Sequence, residues 1–144
     1  MYSANTARDS YVNSEILNAS PLELVRLLYR GALEAVGAAR RHLARREVRE
    51  RSRAVTRASL IIGELSSSLD LSPSDPSRGE LARQLAALYD YLLGLLARAQ
   101  LEQSDAPLAE AEGILGTLAE AWQQIAAPPL AGAAAPRAVI NLSA

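Results

Sequence analysis

From Pro21 to about Arg45 the chain carries nine large apolar residues, and they leave water only a narrow strip. On a wheel at roughly 100° per residue, Glu23, Arg26, Arg30, Glu34 and Arg41 share an arc roughly 80° wide. Leu22, Leu24, Val25, Leu27, Leu28, Tyr29, Leu33, Val36 and Leu43 occupy most of the rest. A bundle helix with one wet side needs an apolar stripe of only about 100°. This helix must be covered on several sides, and three neighbouring helices do not obviously suffice.

The start of that helix is marked by Ser20-Pro21-Leu22-Glu23, a capping serine, a proline at the first helical position and a glutamate three residues past the cap. Three more helices are predicted. One covers about Val48–Leu69, with Val55, Ala58, Ile62, Leu65 and Leu69 on one face. The next runs from about Gly79 to Gln103, with Leu81, Leu85, Leu88, Leu92, Leu95 and Ala99 in a stripe. The last follows a fresh cap at Ser104-Asp105-Ala106-Pro107 and reaches about Ala127, with Leu108, Ala111, Leu115, Leu118, Trp122 and Ile125. Prolines punctuate the turn at residues 71–77 and stop the fourth helix at Pro128-Pro129. Ala and Leu supply 52 of 144 residues, Val and Ile only 12, and Phe none, which favours helix over sheet. The expectation is an all-α, antiparallel up-down four-helix bundle over residues 20–127, with a mobile segment at 1–19 and a disordered Ala/Pro-rich tail at 128–144.

Chemistry is scarce. Without cysteine there are no disulfides or thiolate metal sites, and a single histidine excludes most imidazole-rich ones. His42 has no glutamate three positions before it, so the Glu-x-x-His pairs of a di-metal bundle are missing, and it reads as a helix-end residue. Gly31, Gly37, Gly63, Gly94, Gly113 and Gly116 lie scattered in helices as small packing positions rather than in a phosphate loop. No enzyme activity, metal or cofactor is expected. The start of the chain has neither a basic nor an apolar leader region, and no apolar run approaches the ~20 residues of a membrane span. A cytoplasmic protein without membrane insertion is expected.

Two surfaces stand out. Tyr89 and Tyr91 flank the stripe of the third helix, and an apolar shoulder of Leu93, Ala82 and Ala86 lies beyond Tyr89. Either the tyrosines mark the edge of a tight bundle, or a groove accepts an apolar helix or extended segment. The second surface is Arg40 to Arg57, where eight arginines meet only Glu47 and Glu50. Nucleic-acid binding is one reading, but no aromatic is interleaved to stack on bases, and 15 basic residues face 16 acidic ones in the whole chain. A solvated hairpin partly neutralised by Glu102, Asp105, Glu110 and Glu112, or a docking patch for an acidic protein, fits the same residues.

Five short runs in order carry a further signal. They are Ala19-Ser20-Pro21-Leu22-Glu23-Leu24, Leu28-Tyr29-Arg30-Gly31-Ala32-Leu33, Ile61-Ile62-Gly63-Glu64-Leu65 with Ser68-Leu69-Asp70, Leu88-Tyr89-Asp90-Tyr91-Leu92, and a lone late Trp122. Together they resemble the flagellin-specific export chaperones, the FliS family, over about residues 11–127. The resemblance implies a non-enzymatic chaperone that binds the disordered C-terminal segment of flagellin, blocks premature polymerisation and presents the subunit to a flagellar type III export gate component. It implies a monomer or weak homodimer with no nucleic-acid partner. It also implies that the N-terminal segment, here with Tyr11 and Ile16, caps part of the flagellin site. Arg30 departs from the family's usual acid after the helix-1 tyrosine, and the tail extends past the family's usual end.

The groove is expected on the first three helices, lined by Tyr29, Ile61, Leu65, Leu85, Tyr89 and Leu93, with Leu24, Leu88 and Leu92 as plain core. The tail offers a self-ligand. Pro136-Arg137-Ala138-Val139-Ile140-Asn141-Leu142 resembles the closing residues of flagellins, so Val139, Ile140 and Leu142 are candidates to mimic flagellin in the empty site.

Overall fold

The computed structural model describes residues 20–71 and 75–126, and all of its regular structure is helical. Four helices run in order: α1 (Pro21–Ala44), α2 (Val48–Ser67), α3 (Pro76–Glu102) and α4 (Ala106–Ala126). Each packs on its neighbour in sequence, and α4 closes the ring against α1. Three-residue connections after α1 and α3 force the antiparallel arrangement.

Most of the buried positions follow one rule, with Ala35 and Leu95 buried beside it. They fall at Val25, Tyr29, Ala32, Val36 and Ala39 in α1, and at Arg51, Val55, Ala58, Ile62 and Leu65 in α2. In α3 they are Ala82, Leu85, Tyr89, Leu92, Leu96 and Ala99, and in α4 Leu108, Ala111, Leu115 and Trp122. Alternating steps of three and four make a 3.5-residue period, the spacing of knobs-into-holes packing in bundles. Alanine at six of these seam positions lets the helices approach closely, which suits a chain so rich in it.

The helix ends have local causes. Ser20 Oγ accepts from the Glu23 N–H at 3.2 Å. α3 begins at Pro76, earlier than the expected Gly79, because Asp75 caps it by accepting from the Ser77 N–H at 3.0 Å and Pro76 takes the first helical position. α1 ends in a Schellman turn: the Glu47 N–H bonds the His42 carbonyl at 2.9 Å and the Arg46 N–H bonds Leu43 at 3.1 Å. The left-handed residue there is Arg46 (φ 59°), and Gln103 (φ 50°) plays the same part after α3. Glycine usually takes this place, so neither stop was marked in the sequence. His42 Nδ1 closes the first hairpin on Glu47 Oε1 at 2.7 Å, the helix-end role expected for it.

The α3 stripe sits rotated from its expected phase. Leu81 is 37% exposed, whereas Tyr89, expected at the edge, is 1% exposed. The glycines also need correcting. A Cβ on Gly31 would meet Ile61 Cδ1 at 3.2 Å, and one on Gly37 would touch Arg41 and Glu112, so both are packing positions. Gly63, Gly94, Gly113 and Gly116 have open space instead.

Candidate functional site

Three aromatic rings form the polar centre of the bundle. Tyr29 of α1 and Tyr89 of α3 share a hydrogen bond between hydroxyls at 2.5 Å, with ring centroids 6.5 Å apart. Trp122 of α4 packs on the other side of Tyr29, centroid to centroid 6.2 Å. Burial pushes both phenols above their ordinary titration range.

Tyr29 and Trp122 also form the floor of a cleft of about 520 Å³ between α1 and α4. Its apolar walls are Leu27, Leu33 and Ala119, and its rim carries Glu23, Arg26, Arg30 and Glu34. The over-wide apolar arc of α1 explains this cleft. Val25, Tyr29, Ala32 and Val36 go into the seam, while Leu27 and Leu33 line the cleft and stay half-buried. Apolar floor, apolar walls and a charged rim of both signs suit an amphipathic peptide better than a small polar substrate.

The six residues expected to line a groove divide. Tyr29, Leu65, Leu85 and Tyr89 are core, between 1% and 8% exposed, so the expected wall on α1, α2 and α3 is filled from inside. The reason is the seam phase: all four sit at three-four positions facing the bundle axis. Ile61 and Leu93 remain half-buried against the core. Leu92 is core as expected, but Leu24 and Leu88 are only half-buried. Only Tyr29 of the six reaches the α1/α4 cleft, whose α4 wall (Ala119, Trp122, Gln123) sequence reasoning missed. Nothing in the sequence marked that wall beyond the apolar stripe to which Trp122 belongs. Tyr11, Ile16, Val139, Ile140 and Leu142 lie outside the described residues.

The arginine cluster is partly neutralised from the second hairpin. Arg40 holds Asp105 through two bonds of 2.8 Å and Glu112 through one of 2.6 Å. Hydrogen bonding from Arg40 keeps the Asp105 carboxyl below its usual range. Arg51 is buried and donates to Gln100 at 3.0 Å, tying α2 to α3. Glu110 accepts from the Tyr91 hydroxyl, and Glu102 pairs with Arg98 at 3.5 Å. Among the described residues no group of three or more His, Asp or Glu side chains is arranged to hold a metal ion, and no helix is long and apolar enough to cross a membrane.

Comparison with known proteins covers most of this structure. The family profile described as flagellar protein FliS matches residues 3–129. The chain is 36% identical over 115 residues to the flagellar secretion chaperone FliS of Salmonella typhimurium, spanning 79% of this chain and 82% of that protein. It is 30% identical over 114 residues to the flagellar secretion chaperone FliSB of Pseudomonas aeruginosa, spanning 79% and 87%. With the Campylobacter jejuni FliS it shares 29% over 121 residues, spanning 84% and 91%.

Proposed function

The chain belongs to the FliS family of flagellar proteins, and on that premise we propose that it is a flagellar secretion chaperone for flagellin. It binds the C-terminal segment of flagellin in the cytoplasm, keeps it from polymerising early and hands it to the export gate. This is a binding function, with no catalytic step. The observation that carries the reading is the α1/α4 cleft, because it is where the surplus apolar surface of α1 is left uncovered. Apolar side chains of the flagellin segment occupy it against Leu27, Leu33 and Trp122, while the charged rim orders the flanking polar residues. Half-buried Ile61 and Leu93 extend the contact where the segment wraps further. In this scheme the segment with Tyr11 and Ile16 covers part of the site when flagellin is absent.

Calorimetry of the full chain with a synthetic flagellin C-terminal peptide tests the proposal. A one-to-one isotherm and a raised melting temperature are expected, since a ligand that binds only the native state stabilises it. Absence of both heat and a melting shift at tens of micromolar peptide overturns the reading.

A further inference from the structure

The outer face of α2 is built from two rows that the α1/α4 cleft does not use. Arg49, Arg53 and Arg57 recur every four residues, about one turn apart, and all three are exposed. Beside them run Val48, Ser52, Thr56 and Leu60, also four apart. Val48 is 55% exposed and Leu60 69%. Short Ser52 and Thr56 between long arginines leave a shallow concavity with apolar ends.

This face works against the helix that carries it. Like charges four residues apart repel, and Arg53 has one on each side. Arg49 stands in the first turn, at the positive end of the helix dipole. Arg40 and Arg51, from the same stretch, are held by Asp105, Glu112 and Gln100. Among the described residues no carboxylate comes within ion-pair distance of Arg49, Arg53 or Arg57.

We propose that this face of α2 is a docking surface for an acidic amphipathic helix of a partner protein. Carboxylates spaced four residues apart on that helix match the arginine row turn for turn, and its apolar side chains cover Val48 and Leu60. Nucleic acid fits less well. Phosphates have no use for exposed Val48 and Leu60, and no aromatic lines the concavity to stack on bases.

The test uses the full chain and a labelled synthetic helical peptide with Glu at three positions four apart and Leu on the adjoining row. A Gln-for-Glu peptide, a Lys-for-Glu peptide and a duplex oligonucleotide serve as comparison probes, read by fluorescence anisotropy. The Glu peptide binds about tenfold or more tighter than the Gln peptide, and salt weakens it. The variant with Arg49→Glu, Arg53→Glu and Arg57→Glu loses about tenfold or more and binds the Lys peptide instead. Leu60→Ser weakens the Glu peptide several-fold at unchanged charge. Circular dichroism checks that the variants fold, and the Arg→Gln triple variant repeats the loss without reversed charge. Equal binding by Leu60→Ser and the parent chain overturns the proposal, as does tighter binding of the duplex than of the Glu peptide. Binding of the flagellin peptide stays unchanged in the triple variant, so failure here and failure of the chaperone reading are separate results.

Discussion

The hydroxyls of Tyr29 and Tyr89 meet 2.5 Å apart at the centre of the bundle, on two helices that are diagonal rather than adjacent in the ring. Trp122 closes on Tyr29 from a third helix. That hydrogen bond acts with the buried seam residues Ala32, Val36, Leu92 and Leu96 to set how α1 and α3 are turned about their axes. Tyr89→Phe removes one of the two side-chain partners of the buried Tyr29 hydroxyl, the other being Trp122, and costs about 1 kcal/mol. The double variant with Tyr29→Phe costs less than the sum of the single changes, as urea denaturation in a double-mutant cycle will show.

The same pair sets an alkaline limit. Burial raises both phenols, so the folded chain holds their protons more tightly than the unfolded chain, whose tyrosines titrate near about 10. Their contribution is complete below that pH and is lost as pH rises above it. Denaturation midpoints therefore fall from about pH 9 to about pH 11, and less steeply in the double phenylalanine variant.

Arg40 clamps the opposite hairpins through Asp105 and Glu112. The depressed Asp105 carboxyl stabilises the fold above its unfolded value near about 4 and stops doing so as pH falls through the folded value. Half-exposed as the clamp is, Arg40→Gln costs about 1 kcal/mol at neutral pH. Thermal melts at neutral and acid pH should show the difference between the two chains shrinking as the acids protonate.

Gly94→Ala and Gly116→Ala stabilise the protein by about 0.5–1 kcal/mol each, because an added methyl meets open space in a helix interior. Gly31→Ala gains less, since its methyl presses on Ile61 Cδ1. Melting temperatures of the three single variants give this order directly.

Site and core separate by two measurements on each variant. Leu27→Ala, on the cleft wall, weakens flagellin-peptide binding about tenfold while costing only about 1 kcal/mol of stability. Leu92→Ala, fully buried, costs about 2–5 kcal/mol. Deleting residues 128–144 tightens peptide binding if Val139, Ile140 and Leu142 compete for the site, and an unchanged dissociation constant removes that competition.

Much of the bundle was legible in the residues. The Ser20 cap and Pro21 at the start of α1 are local features and lie where the sequence places them, and Asp105 and Glu112 reach Arg40 from the second hairpin, as an antiparallel bundle requires. The candidate site was less so. The surplus apolar arc of α1 was plain from a wheel, but a wheel shows only that some flank stays uncovered, not which neighbour leaves it so. The groove was therefore expected on α1, α2 and α3, where four of its six residues turn out to be core, and the cleft proposed for the peptide lies between α1 and α4.

The sequence by itself determined the number of helices, their limits to within a few residues, and the surplus of apolar surface. Those depend on capping, proline and periodicity, which act within a turn or two of the chain. Only the tertiary structure decided the rotation of α3 and, with it, whether Tyr89 is wall or core. Leu81, Leu85, Leu88 and Leu92 make one acceptable stripe; Ala82, Leu85, Tyr89 and Leu92 make another, about half a step round. The apolar residues of α3 cover roughly half its circumference, so either stripe keeps Glu80, Arg83, Asp90 and Arg98 in water, and local preference between them is slight. The hydroxyl of Tyr29, sixty residues away in the chain, and the seam around it decide between them.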